Sequence, residues 1–499
     1  MTTIIVIAAF VLSIIFYLSL GYVYSKRTKF LGDMLPLLPG QQAEVKNVKE
    51  FSATTVATSI SLATVILFFF EAAPNMGLWL LWCCLTTVVG IFVVKVLAGK
   101  IWDRMNQYGH KPSLHEFLGT EFNSKKVAMI GAICTSIGYL GTFGLELYLG
   151  STFLAGLVPG IPVWVTVCII SIVGFSYTAM GGFRIVVVSD RVQMYTIWMM
   201  IIGLFVYYSI YIYENGGWQV NFNKVPEQVY NFSWTNNLWS FIVGIFIINI
   251  CMFLVSMSIW QRIAASPKKQ IISKGLWSSI VGTGISWSLL VVAACLVYIV
   301  VKPIEGQNPL TTLLTYIGEE GSLAGRIILF FAVVGLFGSQ LSTASTQLIA
   351  TSHTIHLDVL VSAKRTGISE QINTKKELLI SRIVLIIVAI LAIGTVAILS
   401  ISGFSIVDLA FALYGGQLAL FGPVLYSLTK NRSELKSLSS VATVAVAVGI
   451  FVGWAAAVYG KLNAHQDLVF LSPVLSLASS FLILWIGSIV QTKSNLNKP

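Results

Sequence analysis

Charge, histidine and proline are all scarce in this chain. Of 499 residues only 10% are Asp, Glu, Lys or Arg, with 5 His and 13 Pro. So little charge excludes an ordinary soluble globule, in which about 25% of residues are charged. A membrane-embedded enzyme needs acidic and histidine side chains converging at one depth, and His353 and His356 beside Asp358 are the one weak candidate. Long hydrophilic intervals are missing too. The longest interruptions, 102–124, 213–237 and 353–376, are too short for an independent core, so function must lie within the apolar segments. The six cysteines, Cys83, Cys84, Cys134, Cys168, Cys251 and Cys295, all fall in apolar runs, where they act as small hydrophobes and say nothing of redox compartment.

Apolar sequence is what remains: 56% of residues are hydrophobic and the mean hydropathy is +0.84. Runs long enough to cross about 30 Å of hydrocarbon as helix occur near 3–24, 51–73, 78–99, 127–157, 161–180, 185–212 and 238–261. Others occur near 276–301, 323–352, 377–401, 404–429, 438–460 and 467–491. An all-α integral membrane protein with thirteen transmembrane helices is therefore expected. The first run lacks a basic flank and a small-residue cleavage site before Lys26, so it should stay attached.

Of the 31 Lys and Arg, 26 lie in alternate loops, which predicts an external N-terminus and a cytoplasmic C-terminus in a cell (plasma or inner) membrane. The net charge of +11 is then mostly orientation signal and affinity for lipid headgroups, and no nucleic-acid partner is expected. Pro112 to Leu118 suits one amphipathic turn, and Asn308 to Leu314 a short external helix. The triplets Asn231-Phe232-Ser233 and Asn431-Arg432-Ser433 both match a glycosylation pattern, one from each side, and so carry no weight.

Carboxylates in hydrocarbon are functional candidates by default. Glu71 and Asp408 sit near helix ends, and Asp408 follows Gly403 and Ser405 at a helix start, so both read as structural. Asp190 lies one to two turns into an apolar helix; it is either functional or an ion-pair partner of Arg184 or Arg191. Glu146 sits deeper, with Thr142 one turn before it on the same face.

One segment is rich in hydroxyls: Ser339-Gln340-Leu341-Ser342-Thr343-Ala344-Ser345-Thr346. On a helix Ser339, Ser342 and Thr346 share a face flanked by Thr343 and Ser345. Such a strip either back-bonds to its own carbonyls and permits tight packing, or presents ligands. A second strip, Ser52, Thr54, Thr55, Thr58, Ser59, Ser61 and Thr64, favours ligands, because hard oxygens gathered from separate helices suit Na⁺.

These residues carry a family resemblance. Tyr177 to Gln193, with its Tyr-Thr, Gly181-Gly182 and Ser189-Asp190-Arg191-Val192-Gln193, resembles the signature of the sodium:solute symporter family. Ser342-Thr343-Ala344-Ser345 resembles its second signature, and Ala57 to Ile60, Gln261-Arg262 and Phe421 to Val424 add to it, the last similar to the bacterial proline symporter branch. The resemblance implies a LeuT-like fold: one extra helix and loop (1–50), a five-helix repeat (51–212), its inverted copy (238–429) and two further helices (438–491). It implies one Na⁺ bound by carbonyls of Ala57, Ile60 and Ser339 and hydroxyls of Ser342 and Thr343. A second Na⁺, present in some members, would use Asp190, Ser342, Ser345 and Thr346. It also implies that span two unwinds near 57–61, where no Gly or Pro stands. Leu341, Ser339 and Arg191 depart from the usual pattern, and Arg191 would be placed to neutralise Asp190.

The implied activity is secondary active transport, not catalysis: inward Na⁺ movement coupled to uptake of a small organic solute. Thr64, Trp82, Thr142 and Glu146 are expected to line the solute cavity, with Glu146 favouring an amino acid or another amine. Coupling to H⁺, a sugar or carboxylate substrate, and a channel or sensor on the same fold are the alternatives. Neither the oligomeric state nor the number of Na⁺ per cycle is legible.

Overall fold

The computed structural model describes residues 2–232, 234, 237–302, 304, 306–361, 374–402 and 405–496. Ser233, Lys364, Arg365, Gly403 and Lys498, used above for the glycosylation triplet, the charge bias and the Asp408 turn, lie outside the described residues. Every regular element among the described residues is a helix. The first, α1, is Thr2–Ser25. After it come α2 (Val48–Ser59), a π-helical turn over Leu62–Leu67, α3 (Phe68–Met76) and α4 (Leu81–Met105). The short α5 (Leu114–Glu121), capped by the Ser113 hydroxyl, leads to α6 (Lys125–Leu157) and α7 (Val163–Glu214). Then follow α8 (Leu238–Val255), α9 (Met257–Ala264), α10 (Lys269–Val300), α11 (Pro309–Glu320) and α12 (Leu323–His353). The rest are α13 (Lys375–Ser402), α14 (Ile406–Gln417), α15 (Phe421–Thr429), α16 (Ser439–Leu462) and α17 (Gln466–Leu496).

Eleven continuous stretches among the described residues, not thirteen, are long and apolar enough to cross a membrane. The difference from the sequence count lies in two stretches too long for one crossing. The 52 residues of Val163–Glu214 would reach about 78 Å as one helix, more than twice the hydrocarbon thickness. Gly182, at φ 59° and ψ −149°, bends that stretch between the runs read as separate spans. Gly77, at φ 48°, does the same within the 44 residues of Leu62–Met105.

α12 is the axis of the molecule. Every residue from Gly335 to Thr354 is buried, on all sides of the helix, against α1, α2, α6 and α7. The hydroxyl-rich string therefore lies in protein, not lipid, where polar groups find partners. Close approach follows from small residues: a Cβ on Gly150 of α6 would fall 2.0 Å from the Gln340 amide nitrogen of α12, and one on Gly90 of α4 would fall 2.0 Å from the Asn249 carbonyl of α8.

Ion pairs gather at the helix ends that carry the Lys- and Arg-rich loops. Arg184 holds both oxygens of Glu50, at 2.7 and 2.8 Å, and so ties α7 to the start of α2. Glu121 accepts from Arg104 at 2.6 Å, Arg432 at 2.9 Å and Tyr108 at 2.9 Å, joining α5 to its neighbours. Burial first, and then the Glu121 carboxylate, push the Tyr108 phenol above its ordinary range.

A Cβ on Gly182 would meet the Met34 Cα at 2.6 Å as well as an unfavourable φ. Gly182→Ala is therefore expected to cost about 1–3 kcal/mol of stability. Thermal unfolding in detergent checks this, and a variant that melts like the wild type would contradict it.

Candidate functional site

The sequence departs from helix at two places inside the bundle, and each departure needs its freed backbone groups satisfied. At the first, α2 ends at Ser59, Ile60 takes φ −101° and ψ 72°, and the chain resumes as helix at Leu62. The Ser59 carbonyl accepts from the Trp287 indole at 3.1 Å, and the Ile60 carbonyl accepts from the Ser339 hydroxyl of α12. Ser61 caps the resumed helix, accepting from Thr64 N–H at 2.9 Å. Glu146 of α6 completes the closure: its carboxylate accepts from the Ser61 hydroxyl and from Ala63 N–H at 3.3 Å. The expected unwinding near 57–61 is thus present, built from serines and a carboxylate without Gly or Pro.

A second break separates α8 from α9 at Ser256, at φ −74° and ψ 114°. The Trp260 indole donates to the Leu254 carbonyl at 2.8 Å, and the Tyr139 hydroxyl lies 3.1 Å from Ser256 Oγ. Sequence reasoning did not find this break. Its signal was Ser256-Met257-Ser258 within an otherwise apolar run.

The hydroxyl strip of α12 faces the first break and Asp190. Ser342 Oγ donates to Asp190 Oδ1 at 2.7 Å, and Thr54 Oγ1 donates to Asp190 Oδ2. Ser345 back-bonds to the Ser342 carbonyl at 3.3 Å, and Thr346 lies 3.3 Å from Thr58. Thr343 Oγ1 is buried with no hydrogen-bond partner, although such hydroxyls rarely go unpaired. Ser339 therefore reaches Ile60, one turn from Ala57, Thr343 lines the same cavity as Ser59 and Ser61, and Ser342 groups with Asp190, near Ser345 and Thr346. All these donors are hard oxygens, a set that fits Na⁺.

Neither expected arginine reaches Asp190. Arg184 is committed to Glu50, and Arg191, the next residue along the helix, is exposed and turned away. The cation near Asp190 is Arg262 of α9, only 2% exposed. Arg262 Nε donates to Thr54 Oγ1 at 3.2 Å, Nη2 to Thr58 Oγ1 at 2.6 Å and Nη1 to Ser258 Oγ at 3.4 Å. Thr54 thus links guanidinium and carboxylate through one hydroxyl, and no carboxylate among the described residues forms a direct ion pair with Arg262.

A cavity of about 200 Å³ opens between the two breaks. Thr58, Ser61, Thr64, Thr343, Gln347 and Arg262 line one side of it, and Phe69, Phe241, Trp287 and Phe411 line much of the rest. Of the four positions expected there, Thr64 is in the lining and Trp82, Thr142 and Glu146 are not. The Trp82 indole donates to the Ile242 carbonyl at 3.0 Å and its ring stacks on Phe246. Thr142 back-bonds to the Gly138 carbonyl at 3.0 Å. Asp408 pairs with Lys461 at 2.8 Å and Gln466 at 2.6 Å, in keeping with its structural reading. His356 bonds Glu377, Asp358 bonds His115 and Ser113, and His353 bonds Gln261, each at 2.6–2.9 Å. No group of three or more His, Cys, Asp or Glu able to hold a metal occurs among the described residues.

No protein-family profile matches the chain. In structure it is similar to a Na⁺-coupled sialic acid symporter in a substrate-bound outward-open state, with a TM-score of 0.78 and 17% identity over 97% of this chain and 98% of that one. The fold is LeuT-like. It is similar also to Mhp1, a nucleobase-cation-symport-1 family transporter, with a TM-score of 0.54 and 13% identity over 90% of this chain and 94% of that one. In sequence it is 24% identical over 231 residues to the human sodium/iodide cotransporter, a match covering 43% of this chain and 34% of that protein. The chain thus aligns with about a third of the curated relative it matches. These proteins are transporters, not enzymes, and the resemblance to sodium:solute symporters read from the motifs agrees with them.

Replacing Glu146 by Ala leaves the Ser61 hydroxyl and the Ala63 N–H buried without an acceptor. Glu146→Ala is expected to lose about 2–4 kcal/mol, and Glu146→Gln, which keeps an acceptor, distinctly less. Thermal melting of both variants checks the order. Equal melting of Glu146→Ala and the wild type would remove Glu146 from the closure.

Proposed function

We propose that the protein couples inward movement of Na⁺ to uptake of a small organic solute by alternating access. The observation that carries this reading is the hydroxyl string of α12 set against opened backbone, with Ser339 on the Ile60 carbonyl, Ser342 on Asp190 and Thr343 without a partner. Na⁺ takes the carbonyls of Ala57, Ile60 and Ser339 with the hydroxyls of Ser342 and Thr343. Where a second ion binds, it takes Asp190, Ser345 and Thr346 and shares Ser342.

Na⁺ bridging α2 and α12 stabilises the arrangement that also forms the cavity wall, so solute binds better once the ion is present. Differential affinity for the two arrangements is the coupling. The Lys and Arg bias orients the N-terminus outside and the C-terminus in the cytoplasm. One Na⁺ moving inward through 100 mV supplies about 2.3 kcal/mol, enough for roughly fifty-fold accumulation of a neutral solute. With a monoanion one Na⁺ moves no net charge, so the potential contributes to uptake when a second Na⁺ binds. Glu146 closes the helix break and leaves an amine without a carboxylate on the cavity wall, so a negatively charged solute is the better fit. The human relative, named for sodium and iodide, moves the expectation the same way.

Uptake into proteoliposomes under an imposed Na⁺ gradient, with pooled labelled amino acids, sugars and carboxylates, tests the reading. Ser342→Ala or Thr343→Ala is expected to raise the Na⁺ concentration for half-maximal uptake roughly fivefold or more. Uptake driven equally by a K⁺ or pH gradient, or wild-type Na⁺ dependence in both variants, would reject it.

A further inference from the structure

Arg262 is the single charged side chain in the lining of the central cavity among the described residues. Its guanidinium has five N–H groups, and three of them are used, by Thr54, Thr58 and Ser258. One hydrogen on each of Nη1 and Nη2 is left, the pair that grips a carboxylate side by side. A buried cation without a direct counter-ion is costly, and Asp190 compensates it across a short gap that the Thr54 hydroxyl bridges.

Away from the hydroxyl-bearing side of the cavity, aromatic rings form much of the wall. Phe69 and Trp287 meet edge to face with centroids 5.5 Å apart, and Phe241 lies 5.8 Å from Phe411, so flat faces and edges surround the space. An apolar cavity of roughly 150 Å³ accommodates benzene, and this one is of about 200 Å³. In the same lining, the Gln347 carbonyl oxygen and the Thr343 hydroxyl are buried without partners. A sugar, with hydroxyls all round, would leave many of them unpaired against these rings.

We infer that the cavity binds a small carboxylate with an apolar ring or branched body, its carboxylate on the free Nη hydrogens of Arg262 and its body among Phe69, Trp287, Phe241 and Phe411. This rests on the Na⁺-coupled reading in one respect. Where the second Na⁺ binds, at Asp190, it takes up charge that otherwise compensates Arg262, so that ion frees the guanidinium for the anion. Cation and carboxylate then bind together more tightly than either alone, with no change of shape required.

Calorimetric titration of the purified full chain in detergent tests this with four probes: phenylacetate, phenylacetamide, phenethylamine and acetate, in sodium chloride and in choline chloride. In sodium, phenylacetate is expected to bind roughly tenfold or more tightly than its amide, with acetate weaker still and phenethylamine not binding. Choline is expected to weaken phenylacetate. Arg262→Gln is expected to bring the acid and amide to equal affinity while Na⁺ still raises the melting temperature, and Arg262→Lys to keep part of the preference. If Arg262→Gln does not fold, the wild-type order of the four probes decides alone. Equal binding of acid and amide, preference for the amine, or no phenylacetate binding at millimolar concentration overturns the inference. Stabilisation by Na⁺ without acid selectivity sinks the carboxylate and spares the Na⁺ reading; acid selectivity unchanged in choline does the reverse.

Discussion

A helix interrupted inside hydrocarbon exposes N–H and C=O groups that no water can reach, and each must find a protein partner or cost several kcal/mol. This protein interrupts two helices, at Ile60-Ser61 and at Ser256, and much of its buried polar chemistry answers that demand. Trp287, Ser339, Ser61 and Glu146 close the first break, and Trp260 and Tyr139 attend the second. The hydroxyl string of α12 then has a structural task and a surplus. Ser339 is spent on the break, whereas Thr343 is not. That surplus oxygen, in the wall of the cavity that the opened backbone also lines, is the basis of the proposed cation site.

Electrostatics organise the space below the first break. Asp190, Thr54 and Arg262 form one chain in which a single hydroxyl accepts from a guanidinium and donates to a carboxylate. In a low-dielectric interior such charges are felt strongly, so an ion arriving at Asp190 alters what Arg262 can hold. On the proposed reading, ion and solute sites are energetically joined without a long mechanical path. The same arrangement explains why Arg184 is kept elsewhere: locked bidentately to Glu50, it fixes the end of α2 and leaves Asp190 free of a direct cation.

Much of this was legible in the sequence. The apolar runs set the class, the two hydroxyl strips marked the facing helices, and the signature around Asp190 picked out a carboxylate that Ser342 and Thr54 do meet. What escaped was pairing, because a helix face indicates which residues share a side and not what stands opposite. Arg191 adjoins Asp190 in sequence and faces away from it, whereas Arg262 lies 72 positions on and sits beside it in space. Glu146 looked like a ligand for an amine, since an intramembrane carboxylate invites that reading, yet the break it caps lies on another helix. Trp82 was read into the cavity from its depth alone and instead holds α4 to α8. The runs 161–180 and 185–212 form one continuous stretch that bends at Gly182, between them, while Ser256 separates α8 from α9 with nothing but serine to announce it.

The central claim is that the opened backbone at Ile60 and the hydroxyls of Ser342 and Thr343 together hold Na⁺. Equilibrium binding of radiolabelled Na⁺ to the purified protein, compared with the Ser342→Ala/Thr343→Ala double variant, tests it most directly. The account predicts saturable binding in the wild type that K⁺ does not displace, and loss of that binding in a double variant that still melts cooperatively. Saturable Na⁺ binding of wild-type affinity in the folded double variant would contradict it.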